Sequence, residues 1–137
     1  MSESGARTMK DAKFKILIVD DEQDVLDALL ETLRRAKEFK SDIEMAKEGA
    51  GALASLEKHE FDLVISDYKM PGMNGIELLT AVKKKYPRTI RILITGFSDV
   101  NVAKEAINKA QVHHYIEKPW ESAELRATVL GALKGKA

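Results

Sequence analysis

The stretch F-K-I-L-I-V-D-D, residues 14–21, decides the fold prediction, because an apolar and β-branched run stops abruptly at two aspartates. A short run of this kind is typical of a buried strand followed by a polar loop. A second such run, F-D-L-V-I-S at 61–66, ends at Asp67. We therefore expect a buried sheet whose strands carry acidic residues at their carboxyl ends.

Outward from these two strands, apolar runs alternate with amphipathic stretches along the chain. In a helix predicted from Gln23 to Lys37, Leu26, Leu29 and Leu33 repeat at helical spacing. Three more strands are predicted at 42–46, 90–94 and 112–116. The other predicted helices cover 49–58, a segment around 76–82 that ends before Pro87, a segment from a Ser98 or Asp99 cap to Ala110, and 122–133. This alternation predicts an α/β fold with a five-stranded parallel sheet and helices on both faces.

Bulk composition fits one domain and excludes several classes of protein. The chain has 137 residues, 22 basic and 22 acidic side chains, and no cysteine, so disulfides and thiolate metal sites are excluded. The balanced charge predicts no direct binding to nucleic acid or membrane. No apolar run reaches the ~20 residues of a membrane span, and we expect a cytoplasmic protein. We expect residues 1–13 to form a flexible tail, residues 14–137 to form the domain, and no output domain to follow the last helix.

The predicted strand ends carry reactive side chains. Asp20 and Asp21 follow the first strand, Asp67 the third, Thr95 the fourth, and Lys118 the fifth. Ligands bind outside the carboxyl ends of the strands in an open parallel sheet. We therefore expect three carboxylates, a hydroxyl and an ammonium group to meet at one edge.

Three neighbouring carboxylates repel each other, and a divalent cation offsets that repulsion. Oxygen ligands without histidine or cysteine suit a hard ion such as Mg²⁺. A carboxylate in such a site is able to attack phosphorus as a nucleophile. Metal, ammonium and hydroxyl groups can then stabilise the charge of a transferring phosphoryl group.

Four motifs at these strand ends resemble the receiver domains of bacterial response regulators, the family of the chemotaxis regulators in two-component signalling. They are I-L-I-V-D-D-E at 16–22, D-L-V-I-S-D-Y-K-M-P-G-M-N-G at 62–75, I-L-I-T-G at 92–96 and Y-I-E-K-P at 115–119. The resemblance runs from about Phe14 to Leu133. It implies a doubly wound, flavodoxin-like (βα)5 fold with strand order 2-1-3-4-5.

The resemblance implies that Asp67 accepts the phosphoryl group in a reaction that depends on Mg²⁺ or Mn²⁺. Asp21 would bind the ion directly and Asp20 mainly through water, while Asp67 and the backbone carbonyl of Lys69 complete the protein ligands. Lys118 would bind one phosphoryl oxygen. The protein would catalyse its own phosphorylation and dephosphorylation as a signalling domain, without being a stand-alone enzyme.

The resemblance also implies a switch, in which the Thr95 hydroxyl binds a phosphoryl oxygen and Tyr115 turns inward. The face formed by the fourth helix, fifth strand and fifth helix would then bind an output partner or form a homodimer. The phosphoryl donor would be a sensor histidine kinase or a phosphotransfer protein. The Lys118-Pro119 bond is expected to be cis.

Two positions vary within the family. Gly96 stands where alanine is common, which should widen the path of water to the phosphoryl site. Trp120 follows Lys118-Pro119, and K-P-W together with T-G-F is similar to receivers attached to cyclic-dinucleotide phosphodiesterase domains. We expect Trp120 to be a packing anchor, and Tyr115 has a packed aromatic as its alternative role.

Three other functions are compatible with parts of the pattern. A stand-alone phosphatase needs a substrate pocket or a cap insertion, and the predicted loops are short. A flavin carrier on this fold needs a phosphate-binding loop after the first strand, where Asp20-Asp21 would repel the phosphate. An adaptor that is never phosphorylated would not need all of the acceptor residues that this chain carries.

Overall fold

The structure, a computed structural model, describes residues 12–96 and 100–136, and five strands alternate with five helices along this part of the chain. The strands are β1 (Lys13–Val19), β2 (Lys40–Ala46), β3 (Leu63–Asp67), β4 (Ile90–Gly96) and β5 (His114–Lys118). The helices are α1 (Gln23–Arg34), α2 (Gly49–Lys58), α3 (Gly75–Lys85), α4 (Val100–Glu105) and α5 (Ser122–Lys134). A π-helical turn (Ala106–Ala110) continues α4.

The strands form one parallel sheet in the order β2-β1-β3-β4-β5, which confirms the predicted doubly wound fold. The chain adds β2 on one side of β1 and then crosses over to add β3 on the other side. Open parallel sheets bind ligands at such a reversal of winding, outside the carboxyl ends of the strands. The topology therefore favours a ligand site formed by the residues that follow β1 and β3.

Side chains of the sheet alternate between two core layers. Ile16 and Ile18 of β1 pack beneath α1 and α5, whereas Leu17 and Val19 pack against the layer of α2, α3 and α4. Fully burying one such side chain stabilises a fold by about 2 kcal/mol. All of β3 is buried, whereas the edge strand β5 has no fully buried residue. The acidic end of β3 is thus rigidly held, and β5 is held less firmly.

The segment after α4 differs from the sequence prediction. The predicted strand began at Val112, but β5 begins at His114. The reason is that the backbone N–H of Val112 donates to the carbonyl of Ala106 at 3.4 Å, within the cap of the π turn. Gln111 adopts a left-handed backbone with a φ of 47°, which ends the helix.

Helix starts follow local hydrogen bonding. Asn74 and Glu77 form a capping box at the start of α3, each side chain accepting from the other residue's backbone N–H at 2.9 Å. The predicted caps of the fourth helix, Ser98 and Asp99, lie outside the described residues, as do residues 1–11 of the predicted tail. The predicted tail boundary at residue 13 is too late, because Ala12 is buried in the core and Lys13 begins β1. No helix in the described ranges is long and apolar enough to cross a membrane.

Candidate functional site

The carboxyl ends of the strands bring three aspartates together. Asp20 directly follows β1, Asp21 comes next, and Asp67 is the last residue of β3. Carboxylate oxygens of all three lie within 4.8 Å of one another. The convergence expected from the parallel strands therefore exists for the acidic part of the predicted site.

An ammonium group joins the carboxylates. Lys118 ends β5, and its Nζ lies 3.0 Å from Oδ2 of Asp20 and 3.1 Å from Oδ1 of Asp67. Asp20 is 1% exposed and Asp67 is 7% exposed, while Asp21 lies at the surface. The lysine thus bridges the two buried carboxylates, and the exposed one remains open to solvent.

The pKa values of Asp67 and Lys118 are both raised in this cluster, for different physical reasons. Burial, followed by the neighbouring charge of Asp20, raises the pKa of Asp67, although Lys118 opposes the effect. Burial by itself would lower the pKa of Lys118, but hydrogen bonds to Asp20 and Asp67 outweigh it and raise the pKa. The hydrogen bond from Lys118 therefore offsets only part of the effect of burial and of Asp20 on the pKa of Asp67.

Backbone contacts fix the carboxylates in position. The backbone N–H of Glu22 donates to Oδ1 of Asp20 at 2.9 Å, and the N–H of Gly75 donates to the carbonyl of Tyr68 at 2.8 Å. A Cβ added to Gly75 would lie 2.1 Å from the carbonyl oxygen of Asp67. Only glycine allows α3 to begin this close to the end of β3, a role that the sequence motif did not reveal.

The carboxylates open into a cleft of about 590 Å³. Asp67 and Lys118 line it together with the other predicted site residues Asp21, Lys69, Thr95 and Gly96, and with Glu22, which the sequence reasoning had not singled out. The hydroxyl of Thr95 donates to the carbonyl of Gly96 over 3.4 Å, a long hydrogen bond that a better acceptor could replace.

The predicted switch residue Tyr115 lies away from the cleft. It pairs with Leu93 in the β4–β5 register, while Thr95 pairs with Glu117, so Thr95 and Tyr115 share one face of the sheet. The tyrosine is half-buried against the core layer of α2, α3 and α4. The Lys118-Pro119 peptide bond is cis, as predicted.

The sequence profile of the response regulator receiver domain matches residues 16–130. This match covers most of the chain, and it agrees with the strand order and with the acidic cleft. The chain therefore belongs to the response regulator receiver domain family, a class of signalling domain in two-component systems.

Curated relatives are regulators. The hydrogenase transcriptional regulatory protein HoxA of Cupriavidus necator is 34% identical over 128 residues, which make up 93% of this chain and 26% of HoxA. The uncharacterized transcriptional regulatory protein YesN of Bacillus subtilis is 35% identical over 112 residues, or 82% of this chain and 30% of YesN. The chain thus spans between 26% and 30% of the length of these two relatives.

Solved structures agree with this assignment. The signal receiver domain of an HD domain-containing protein from Pseudomonas fluorescens Pf-5 superposes with a TM-score of 0.83 at 34% identity, covering 90% of this chain and 97% of that one. A CheY-like receiver domain from Methanospirillum hungatei JF-1 gives a TM-score of 0.81 at 30% identity, covering 90% and 96%.

Proposed function

We propose that this receiver domain accepts a phosphoryl group on Asp67 in the cytoplasm and passes the signal to a partner. The observation that supports this most strongly is the bridge of Lys118 between Asp20 and Asp67, at distances of 3.0 and 3.1 Å. A lysine so placed is able to neutralise both the acceptor and an incoming phosphoryl oxygen. Membership of the receiver family supports the same reaction.

The donor atoms of the cleft fit a hard divalent cation. Asp20, Asp21 and Asp67 offer carboxylate oxygens within 4.8 Å of one another, and Lys69 borders the same cleft, where its backbone carbonyl would be a further oxygen ligand. Mg²⁺ and Mn²⁺ prefer such oxygen ligands. When bound, the ion would offset the repulsion of the carboxylates and neutralise charge on the phosphoryl group.

The chain's own groups carry out the transfer. A carboxylate oxygen of Asp67 forms the new bond to phosphorus while the bond from phosphorus to the donor breaks. The electron pair of that bond leaves with the donor, which for the phosphohistidine of a sensor kinase or phosphotransfer protein is the imidazole ring. A ring protonated on its other nitrogen leaves as neutral imidazole, and an unprotonated ring leaves as imidazolate and takes one proton from water. The Lys118 ammonium and the Thr95 hydroxyl donate hydrogen bonds to phosphoryl oxygens.

Phosphorylation would be relayed through β4 and β5. Phosphoryl oxygens are stronger acceptors than the Gly96 carbonyl that Thr95 now reaches over 3.4 Å, so the hydroxyl would move toward Asp67. Tyr115 lies on the same face of the sheet and would turn into the space that is left. The face of α4, β5 and α5 would then bind an output partner or a second copy of the chain.

Labelling with a small phosphodonor tests the acceptor. Acetyl phosphate with Mg²⁺ should add one phosphoryl mass to the protein, and Asp67→Asn should take up none. Asp42→Asn is the matched control, because Asp42 forms a surface ion pair with Lys15 at the other end of the sheet. Equal labelling of the Asp67 variant would refute the assignment.

Thr95→Ala tests the relay. This variant should still accept the phosphoryl group on Asp67, because the nucleophile and the lysine are intact. Its amide chemical shifts in α4 should remain those of the unphosphorylated protein, since the moving hydroxyl is gone. A full wild-type shift change in the phosphorylated variant would show that the signal takes another route.

A further inference from the structure

A hydrogen bond links the turn after β5, residues 119–121, to α1. The indole Nε1 of Trp120 donates to Oγ1 of Thr32 at 3.3 Å, and the ring packs half-buried against the core layer of α1 and α5. The hydroxyl of buried Thr32 donates its own proton to the carbonyl of Ala28 at 2.8 Å. That leaves an oxygen lone pair directed to the indole.

This bond joins the two chain segments that carry opposite charges of the cleft. Trp120 follows Lys118 by two residues, and α1, which contains Thr32, begins at Gln23, two residues after Asp21. Moving Trp120 relative to α1 would therefore move the ammonium relative to the carboxylates.

Lys118 needs such a restraint more than its partners do. Asp67 ends a strand that is buried throughout, but Lys118 ends the edge strand β5, which pairs with β4 alone and has no fully buried residue. The lysine side chain also has about 2 kcal/mol of rotamer entropy to lose on ordering. Sheet pairing therefore holds β5 on one side, whereas it holds β3 on both sides.

We propose that Trp120 is a positioning residue for Lys118, acting through its hydrogen bond to Thr32. The proposal rests on the proposed phosphoryl transfer. Packing of the ring accounts for the burial of Trp120, and phenylalanine would satisfy that requirement. The indole N–H adds a directional link that keeps the Lys118 ammonium between Asp20 and Asp67.

Loosening this link has two consequences of opposite sign. Phosphoryl transfer slows, because the ammonium is less often in place to bind a phosphoryl oxygen. Mg²⁺ binding becomes tighter, because the ammonium and the cation repel each other and compete for the same carboxylates, Asp20 and Asp67. A general distortion of the cleft would instead weaken both properties.

Two substitutions remove the link from either side. Trp120→Phe keeps an aromatic ring, and Thr32→Val keeps the shape of the side chain, and neither can form the bond. Each should slow phosphorylation by acetyl phosphate about fivefold, the effect of losing one neutral hydrogen bond. Each should also lower the Mg²⁺ dissociation constant, measured by titration calorimetry, by about twofold.

The chain offers a matched control and a rescue. The hydroxyl of Thr80 in α3 donates to the carbonyl of Ile76 at 2.7 Å, which is the same intrahelical bond that Thr32 makes. Thr80→Val should therefore leave phosphorylation and Mg²⁺ affinity unchanged. Thr32→Ser retains a hydroxyl and should restore both values to those of the wild type.

Wild-type rates and affinities in both link variants would overturn the proposal, as would a joint fall of rate and Mg²⁺ affinity. If the wild-type protein itself took up no phosphoryl group, the proposed function would fail. The Mg²⁺ titrations would then decide the positioning role: tighter binding in both variants supports it, and unchanged binding overturns it.

Discussion

The two ends of β4 hold buried charge in opposite ways. At the carboxyl end, Thr95 borders a cleft in which the carboxylates of Asp20 and Asp67 share the ammonium of Lys118. At the amino end, Arg91 is 5% exposed, and its guanidinium donates to four backbone carbonyls. These belong to Pro87, Thr89, Ala110 and Gln111, at 3.3, 2.9, 3.1 and 3.1 Å.

We call the carboxyl end of β4, with Asp20, Asp67 and Lys118, the responsive end, because its charged groups can change partners. The amino end, with Arg91, is the fixed end. The carbonyls around Arg91 are part of the backbone, and those of Ala110 and Gln111 end the π turn, where the helix dipole is negative. Burial lowers the pKa of Arg91, but these fixed backbone dipoles stabilise its charge. The carboxylates at the other end are able to exchange the ammonium for a cation or a phosphoryl group.

Removing the guanidinium of Arg91 should cause the largest loss of stability. Arg91→Met would remove the donor groups that reach the buried carbonyls of Thr89 and Ala110, and we expect the free energy of unfolding to fall by about 3 kcal/mol. Urea denaturation measures it. Arg34→Met, at an exposed position of α1, should change stability by less than about 0.5 kcal/mol. A similarly small loss for the Arg91 variant would contradict the anchoring role.

Mg²⁺ should stabilise the responsive end. At about ten times its dissociation constant, the ion should raise the free energy of unfolding by about 1.4 kcal/mol, because it binds the folded protein alone. Asp21→Asn removes the exposed carboxylate and should require more Mg²⁺ for the same gain. Asp42→Asn, at the far end of the sheet, should respond as the wild type does. Melting curves at increasing Mg²⁺ check this, and a constant melting temperature would exclude the site.

Neutralising Asp67 should stabilise the metal-free protein by up to about 1 kcal/mol at pH 7. Burial and Asp20 raise the pKa of Asp67 above its usual 3.8, so the folded state favours the protonated acid. Stability from this group is present below pH 3.8 and is lost as the pH rises through the raised value. Asp67→Asn should therefore exceed the wild type at pH 7 in a chelator and lose its advantage in acid. A less stable variant at pH 7 would show that the bond to Lys118 outweighs the burial.

A methyl group at Gly96 should prolong the phosphorylated state. Among the described residues, no heavy atom lies within 4 Å of the position of an added Cβ, so Gly96→Ala has room to fold normally. The methyl would crowd the cleft and slow loss of the phosphoryl group by about twofold through reduced access of water. Gly51→Ala, in α2, is the control and should leave the decay rate unchanged. A faster decay in the Gly96 variant would refute this role.

The responsive end could be predicted from the sequence because its residues follow strand ends. Parallel strands bring their carboxyl ends to one edge, so Asp20, Asp67 and Lys118 could be assigned to one cleft from the apolar runs before them. The requirement for Gly75 could not be predicted, because it depends on how closely α3 approaches the end of β3.

No sequence pattern predicts the contacts of Arg91 at the fixed end. Arg91 stands in the strand I-R-I-L-I-T-G, where a single arginine gives no indication of partners, and its partners are backbone carbonyls that any residue carries. The π turn was missed because Val102, Ala106 and Ala110 keep the spacing of an ordinary helix. The likeness of K-P-W to receivers with phosphodiesterase domains stays a prediction, since the relatives include transcriptional regulators as well as an HD domain-containing protein.

Phosphorylation should displace the two ends of α4 by different amounts. Arg91 binds the carbonyl of Ala110 at the end of the π turn, which holds the end of this helix. The start of α4, at Val100, lies closer in the chain to Thr95. Phosphorylation should therefore displace the start of the helix more than its end. Amide chemical-shift changes on phosphorylation should be largest at Asn101 and decline toward Ala110. The weakened anchor of Arg91→Lys, which keeps the charge but not the fork of donors, should let the change spread to the π turn. Equal changes along α4 in the wild type would mean that the helix moves as a rigid body and that Arg91 does not hold its end in place.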